Sequence, residues 1–299
     1  MTDEAMRARA RVFEDLSVAA SALALWLAAG CTIDASPEVS DGGVSDGLLH
    51  ATFIDVGQGD SALFELPDGS IVLVDGGEEG QGLNAVLPIM EEKGISAIDL
   101  MILTHPHSDH CGGLDEVMAH VEVAEIWENG EALDTPAYAG YGAERNASGA
   151  EVLHPSVGDA RAFGEVVIEV LATNTGYPQA NNDSIASSLT YRDVRFLLPG
   201  DAEVEEQGDM LDAHDPADLR AAVLKVPHHG SSDFDPAFPE TVMPGFAVIS
   251  CGLGNDYGHP HQESLDAYAA IDAAICRTDQ MGDVLFTTDG AEIETNCGG

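Results

Sequence analysis

The chain has 299 residues, 44% of them apolar, enough for one large domain or two small ones around a buried core, which excludes a wholly disordered protein. Its 11 Lys and Arg stand against 53 Asp and Glu, a formal charge of -42, so at low salt its field repels nucleic acid and anionic membranes. The same balance suits concentrated salt: at ~1 M the Debye length is about 3 Å, the repulsion fades, and a polyanionic substrate stays admissible.

The N-terminus reads as a targeting segment. Arg7, Arg9 and Arg11 precede the apolar run "VAASALALWLAAG" over 18–30, shorter than the roughly 18 residues of a membrane span and of the length of a signal-peptide core. The run closes in "LAAGC", where small residues before Cys31 resemble the lipobox of bacterial lipoproteins, in which the cysteine is lipidated and becomes the mature N-terminus. On that reading 1–30 is a signal peptide, and the protein is exported, as a membrane-anchored lipoprotein or an extracellular one, touching the membrane only through its lipid. An uncleaved anchor or an amphipathic helix is the alternative. Residues 31–47 are polar, acidic and turn-rich, a flexible tether.

Residues 48–299 contain no dividing linker and no repeat at fixed period, so they form one domain. "LLHATFIDVG" and "SALFELPDGSIVLVDGG" read as three strands, with Pro67, Asp68 and Gly69 turning the chain between the second and third. Helical spacing runs over 83–93, and "IDLMILT" is a continuous apolar strand of the kind buried on both faces. Gly112 and Gly113 open a helix through His120; the Gly/Ala-rich 129–150 reads as an insertion or lid over the site. Strands resume at "EVVIEVLA", "SSLTYR", "VRFLLPG", "AAVLKVP" and "FAVISC". Of Cys111, Cys251, Cys276 and Cys297, the last two flank the final hairpin and form the easiest disulfide; a second pair, or four buried thiols, remain open.

Ionisable residues fall just past the carboxyl ends of the apolar strands: Asp75 after "SIVLV", His105 after "LMILT", Asp201 after "RFLLPG", His228 after "AAVLKVP". Rigid strands deliver loops to one edge there, which is where α/β architectures assemble sites. "THPHSDH" adds His107, Asp109 and His110. Imidazoles two apart on a turn converge on one cation, while Asp109 and His110 face a second close by.

"THPHSDH" matches the HxHxDH signature of the metallo-β-lactamase fold. The ordered series "FIDVGQGDS", "VLVDGG", "NNDSIASSL", "FLLPGDAE", "LKVPHHGSS" and "YGHPH" resembles the metallo-β-lactamase domain of ComEC-type DNA-uptake proteins. The resemblance covers nearly all of 48–299 and implies an α/β fold, an αββα sandwich with two divalent metals at the edge where its sheets meet. Of full ComEC proteins, the resemblance takes in the metallo-β-lactamase domain, and no membrane channel is expected within these residues. Residue by residue, the resemblance implies that His105 and His107 hold one metal and that Asp109, His110 and His228 hold the other. Asp201 bridges them through its two oxygens, and Asp75 orients ligands. His229 competes with His228 for the ligand role; His228 is favoured. Many relatives place a third histidine at "NNDSIASS"; Asn181, Asn182 and Ser184 stand there instead, which leaves the first site short of a strong ligand. Zinc suits the imidazoles best, and the carboxylates admit manganese.

The implied chemistry is hydrolysis by a metal-activated hydroxide, with Asp109, Asp201 and His259 catalytic. His259 reaches a phosphate oxygen or protonates the leaving group, or is simply a helix-entry residue; Ser231 is a further donor. In "DVGQGD", Gly57 and Gly59 permit close backbone approach, and Gln58 and Asp60 read as turn residues rather than substrate contacts. A small-molecule or nucleic-acid phosphodiester is the expected substrate. Lactone, β-lactam or phosphorylcholine ester hydrolysis is the alternative, favoured by a dry apolar pocket, and a non-catalytic binding module stands further off. No protein partner is inferable.

Overall fold

The computed structural model describes residues 8–11 and 46–298. Two mixed sheets carry the fold. The first has nine strands in the order β1 (Ala8–Arg11), β16 (Glu292–Thr295), β15 (Val284–Thr288), β2 (Leu49–Phe53), β3 (Ala62–Glu65), β4 (Ile71–Val74), β5 (Ala97–Ile102), β6 (Glu122–Trp127), β7 (Glu151–Leu153). The second has seven, in the order β14 (Ala274–Arg277), β13 (Phe246–Ile249), β12 (Val223–Lys225), β11 (Val194–Leu198), β10 (Ala186–Tyr191), β9 (Val166–Ala172), β8 (Ala160–Phe163).

Alternation along each strand sorts side chains into three layers. Val72 and Val74 face the second sheet while Leu73 faces outward, and Leu100 and Ile102 divide from Met101 in the same way. Phe53, Phe64, Phe196, Phe246 and Phe286 fill the space between the sheets, Phe64 meeting Phe196 edge-on at 5.6 Å. The outer face of the first sheet is covered by α1 (Leu87–Lys93), α2 (Ser108–Cys111), α3 (Leu114–Met118) and α4 (Pro136–Ser148), through Met90, Leu114, Val117 and Tyr141. That of the second is covered by α5 (Val204–Ala213), α6 (Pro216–Leu219), α7 (Ala237–Val242) and α8 (Gln262–Ala270), through Met210, Leu219, Phe238 and Tyr268. The result is the expected αββα sandwich, its β5 buried on both faces.

One expectation changes in part. Residues 129–150 divide: Glu131, Ala132 and Leu133 line a cleft beside His107, whereas most of the segment is α4, whose Tyr141 is fully buried and donates to buried Glu128 at 2.8 Å, while Arg145 salt-bridges the same carboxylate. Small residues let this helix lie close on α3, Gly140 beside Asp115, so the Gly/Ala content reflects packing. Residues 8–11, within the stretch read as a leader, pair antiparallel with β16, Ala8 opposite Thr295. The apolar run 18–30, Cys31 and the tether as far as residue 45 lie outside the described residues. Among the described residues no helix is long and apolar enough to cross a membrane. Cys276 and Cys297 form a disulfide joining β14 to the chain end; Cys111 and Cys251 are buried free thiols, pushed up to about 12 by burial.

Candidate metal centre

Parallel pairings β4–β5 and β5–β6 in one sheet, and β11–β12 and β12–β13 in the other, aim the carboxyl ends of those strands at a common edge. Asp75 leaves β4, Thr104 to His110 follow β5, Asp201 follows β11, and His228 and His229 follow β12. Gly59 closes the group from the side: its φ is +127° and a Cβ there would stand 2.2 Å from the Asp109 carbonyl, so only glycine lets the 57–60 loop meet the histidine turn.

Side chains converge on one oxygen, Asp201 Oδ2. His110 Nε2 and His229 Nε2 each lie 3.2 Å from it, His105 Nε2 and His228 Nε2 each 4.0 Å, and Asp109 Oδ2 sits 3.3 Å from His229 Nε2. Ligand atoms of Asp109, His110, Asp201 and His229 all lie within 4.8 Å of one another.

Each inner imidazole is tied from behind. His110 Nδ1 hydrogen-bonds Asp75 Oδ2 at 2.8 Å, and Asp75 also accepts from the Thr104 amide and hydroxyl. His229 Nδ1 hydrogen-bonds the Ser250 carbonyl at 2.9 Å. Both rings leave a buried Nε2 with no hydrogen-bond partner, pointing inward. One nitrogen anchored and the other bare is how histidine meets a metal.

Charge points the same way. Asp60, Asp75, Asp109 and Asp201 surround the centre, and the ammonium of buried Lys225 is the lone fixed cation among them. Carboxylates this deep need cations. Without metal, the histidines carry that load: burial opposes the charged form, yet Asp201 holds His110 and His229 well above the ordinary value. His105 goes the other way, well below it, through burial and the neighbouring His110. Asp201 is held well below the carboxylate range, burial being overcome by His229, His110 and Lys225. The donor set and its bare nitrogens fit divalent metal.

His229, not His228, therefore joins Asp109 and His110. Both residues have left-handed backbone, φ 48° and 53°, which turns consecutive rings apart. His229 is sent inward. His228 faces Glu203 at 3.2 Å and Asn181 at 3.4 Å, on the side of His105 and His107, whose rings meet at 3.0 Å. At the place of the absent third histidine the structure puts Asn181 near the centre, while Asn182 accepts from the Glu203 and Glu206 amides at the start of α5. Ser184 accepts from the Asp201 amide at 3.2 Å and so braces the loop. Ser231 accepts from the Asp233 amide, a turn contact. His259 stands 5.4 Å from His228 and 6.0 Å from His229 between ring centres, its Nδ1 buried without a partner and its pKa depressed to about 4 by burial and by His229.

Two residues gain roles that their sequence context did not suggest. Lys225 donates to Asp201 Oδ1 at 3.1 Å and to the Gly200 carbonyl at 3.0 Å, and salt-bridges Asp60. Asp60 reads as a turn residue but is buried, 3.4 Å from His229 Nδ1. The signal was its place: it follows a strand whose end meets the others.

Beside His107 opens a cleft of ≈ 540 Å³, lined also by Glu131, Leu133, Pro178, Asn181 and Glu203.

An αββα sandwich with a histidine- and aspartate-rich metal centre at its sheet edge defines a class of metal-dependent hydrolases. Residues 54–235 match the Metallo-beta-lactamase superfamily, and the chain belongs to it. ComE operon protein 3 of Bacillus subtilis (strain 168) is 28% identical over 251 residues, 78% of this chain and 32% of that protein. Competence protein ComA of Neisseria gonorrhoeae is 26% identical over 255 residues, 81% of this chain and 33% of that protein. The chain thus spans about a third of the length of these curated relatives. Among solved structures, the metallo-beta-lactamase fold protein YhfI from Bacillus subtilis superposes with a TM-score of 0.53 at 12% identity, covering 80% of this chain and 99% of that one. Tm1679, a metal-dependent hydrolase of the beta-lactamase superfamily, does so at 0.50 and 17%, covering 76% and 95%.

Proposed function

We propose that this hydrolase is a phosphodiesterase, with nucleic acid the leading substrate, exported and held at a membrane by a lipid on Cys31. The observation that carries the reaction class is the convergence of His110 Nε2 and His229 Nε2, both without hydrogen-bond partners, on Asp201 Oδ2 with Asp109 alongside. The likeness to two competence proteins supports nucleic acid. The cleft mixes Glu131, Asn181 and Glu203 with Leu133 and Pro178, so it is not the wholly apolar pocket that a small ester would favour.

His110, His229, Asp109 and Asp201 would hold one cation. His105 and His107 would hold the other, sharing Asp201 and aided by Asn181 or His228. Two such ions supply Lewis acidity and an acidified water. Zinc fits the imidazoles, and the carboxylates leave room for manganese. Asp75 and the Ser250 carbonyl fix the tautomers of His110 and His229 by holding each Nδ1 as the donor. His259, its pKa depressed to about 4 chiefly by burial, would reach a phosphate oxygen as an N–H donor or serve the leaving group.

Metal analysis of the purified protein, followed by assays in molar KCl with bis-p-nitrophenyl phosphate, single-stranded DNA, a lactone and nitrocefin, tests this. Chelator-sensitive cleavage of the two phosphodiesters is expected. Turnover of the lactone or nitrocefin alone would overturn it.

A further inference from the structure

Something must hold a substrate at this centre, and side-chain cations are taken. Among the described side chains, every lysine and arginine except exposed Arg220 already faces an acid or a carbonyl. Lys225 is enclosed by Asp60 and Asp201, Lys93 meets Glu65, Arg145 Glu128, Arg161 Glu125, Arg192 Glu165, Arg277 Asp279, and Arg195 the Asp218 carbonyl. Phosphate pairing, the usual source of affinity for nucleic acid, is therefore scarce.

A different kind of contact surface lies next to the site. Leu253 and Tyr257, 84% and 65% exposed, are the most exposed large apolar side chains among the described residues. Scattered exposed apolar residues need no explanation; these two share one short loop, and that loop is pinned. Asn255 donates to the Gly252 and His259 carbonyls at 2.9 and 2.7 Å and accepts from the Tyr257 and His259 amides at 3.1 and 3.0 Å. Gln58, from the loop that packs on the histidine turn, accepts from the Gly252 amide at 3.2 Å. The Tyr257 ring lies nearly parallel to His259, 19° and 5.6 Å apart, and His259 in turn is 6.0 Å from His229. An exposed aromatic face thus stands two ring spacings from the metal centre on a pre-ordered loop.

We infer that Tyr257, with Leu253 exposed on the same loop, is a stacking platform for the nucleobase adjoining the scissile phosphodiester. The inference rests on the phosphodiesterase reading and names how its substrate is held. Every base offers a π face, so stacking is tolerant of sequence. It is also unscreened at the molar salt that a chain of charge -42 suits. Binding energy then comes from the metals at the phosphate and from apolar contact at the base.

The test compares kcat/KM for a single-stranded oligonucleotide and for an abasic strand of equal length, with the metal-loaded full chain in molar KCl. Wild type should prefer the intact strand, Tyr257→Ala should cut that preference about 5- to 150-fold, the range of one lost stacking contact, and Tyr257→Phe should keep it. A wild type with no preference, or Tyr257→Ala slowing both strands equally because the ring only props His259, would overturn the inference and leave the phosphodiesterase reading standing. Failure of wild type to cleave either strand while hydrolysing a lactone or nitrocefin would remove both.

Discussion

Lys225 Nζ donates to Asp201 Oδ1 at 3.1 Å, and so the Asp201 carboxylate presents only its other oxygen, Oδ2, to the four imidazoles. With both this carboxylate and Asp60 leaning on a buried ammonium, removing the cation leaves two buried acids with only the neighbouring histidines as partners. Lys225→Met should cost the metal-free protein about 3–5 kcal/mol, the usual cost of breaking a buried pair. Lys225→Met/Asp60→Asn should recover part of it. Urea denaturation with chelator measures both, and an unchanged midpoint in the single variant would deny Lys225 this role.

The two adjacent histidines should separate cleanly. His229→Ala removes a ring whose bare Nε2 lies 3.2 Å from Asp201 Oδ2, whereas the ring of His228 stands off at 4.0 Å beside Glu203. Metal content by mass spectrometry should fall by about one ion per chain in His229→Ala, with turnover reduced by roughly two orders of magnitude or more, a typical effect of lost metal support. His228→Ala should hold more metal. Equal metal loss in both variants would contradict the split.

Glu206 is a buried acid, and its pKa is raised well above 4.5 by burial with Asp183 and Asp209 nearby. Between its unfolded and folded values the native state holds a proton that the unfolded chain releases, so stability falls as pH rises through that window. Glu206→Gln has no proton to lose. It should be more stable than wild type at pH 8, by about 1.4 kcal/mol for each unit of the shift removed, and equal or slightly weaker at pH 4. Denaturation curves at the two pH values decide it; a variant weaker at both would show that the carboxyl's own contacts matter more.

Salt should stabilise the fold. Self-repulsion of a chain with charge -42 is greatest at low ionic strength, and screening over about 3 Å at ~1 M removes most of it. The melting temperature should climb between dilute buffer and molar KCl. A flat response would mean that these charges cost the native state little.

The strands and the edge at which the site forms are legible in the sequence, because strand period and continuous apolar runs such as "IDLMILT" encode burial locally and polar residues just past strand ends mark a common rim, while the αββα layering follows from the family resemblance. The sequence also made Cys276–Cys297 the easiest pair, and that disulfide is present. The tertiary structure alone decided which imidazole turns inward at "PHHGSS", since two successive left-handed residues set ring direction and no side-chain pattern records φ. It alone made Lys225 a clamp on Asp201 and brought Asp60 from a presumed turn into the centre, because both roles depend on a neighbour more than 20 residues away in the chain. Nor could composition tell that 136–148 packs as a helix through Tyr141 instead of lying over the cleft, as its moderate apolar content becomes a buried face only once Glu128 stands opposite. Local pattern records what is buried; which groups then meet depends on where the rest of the chain places their partners.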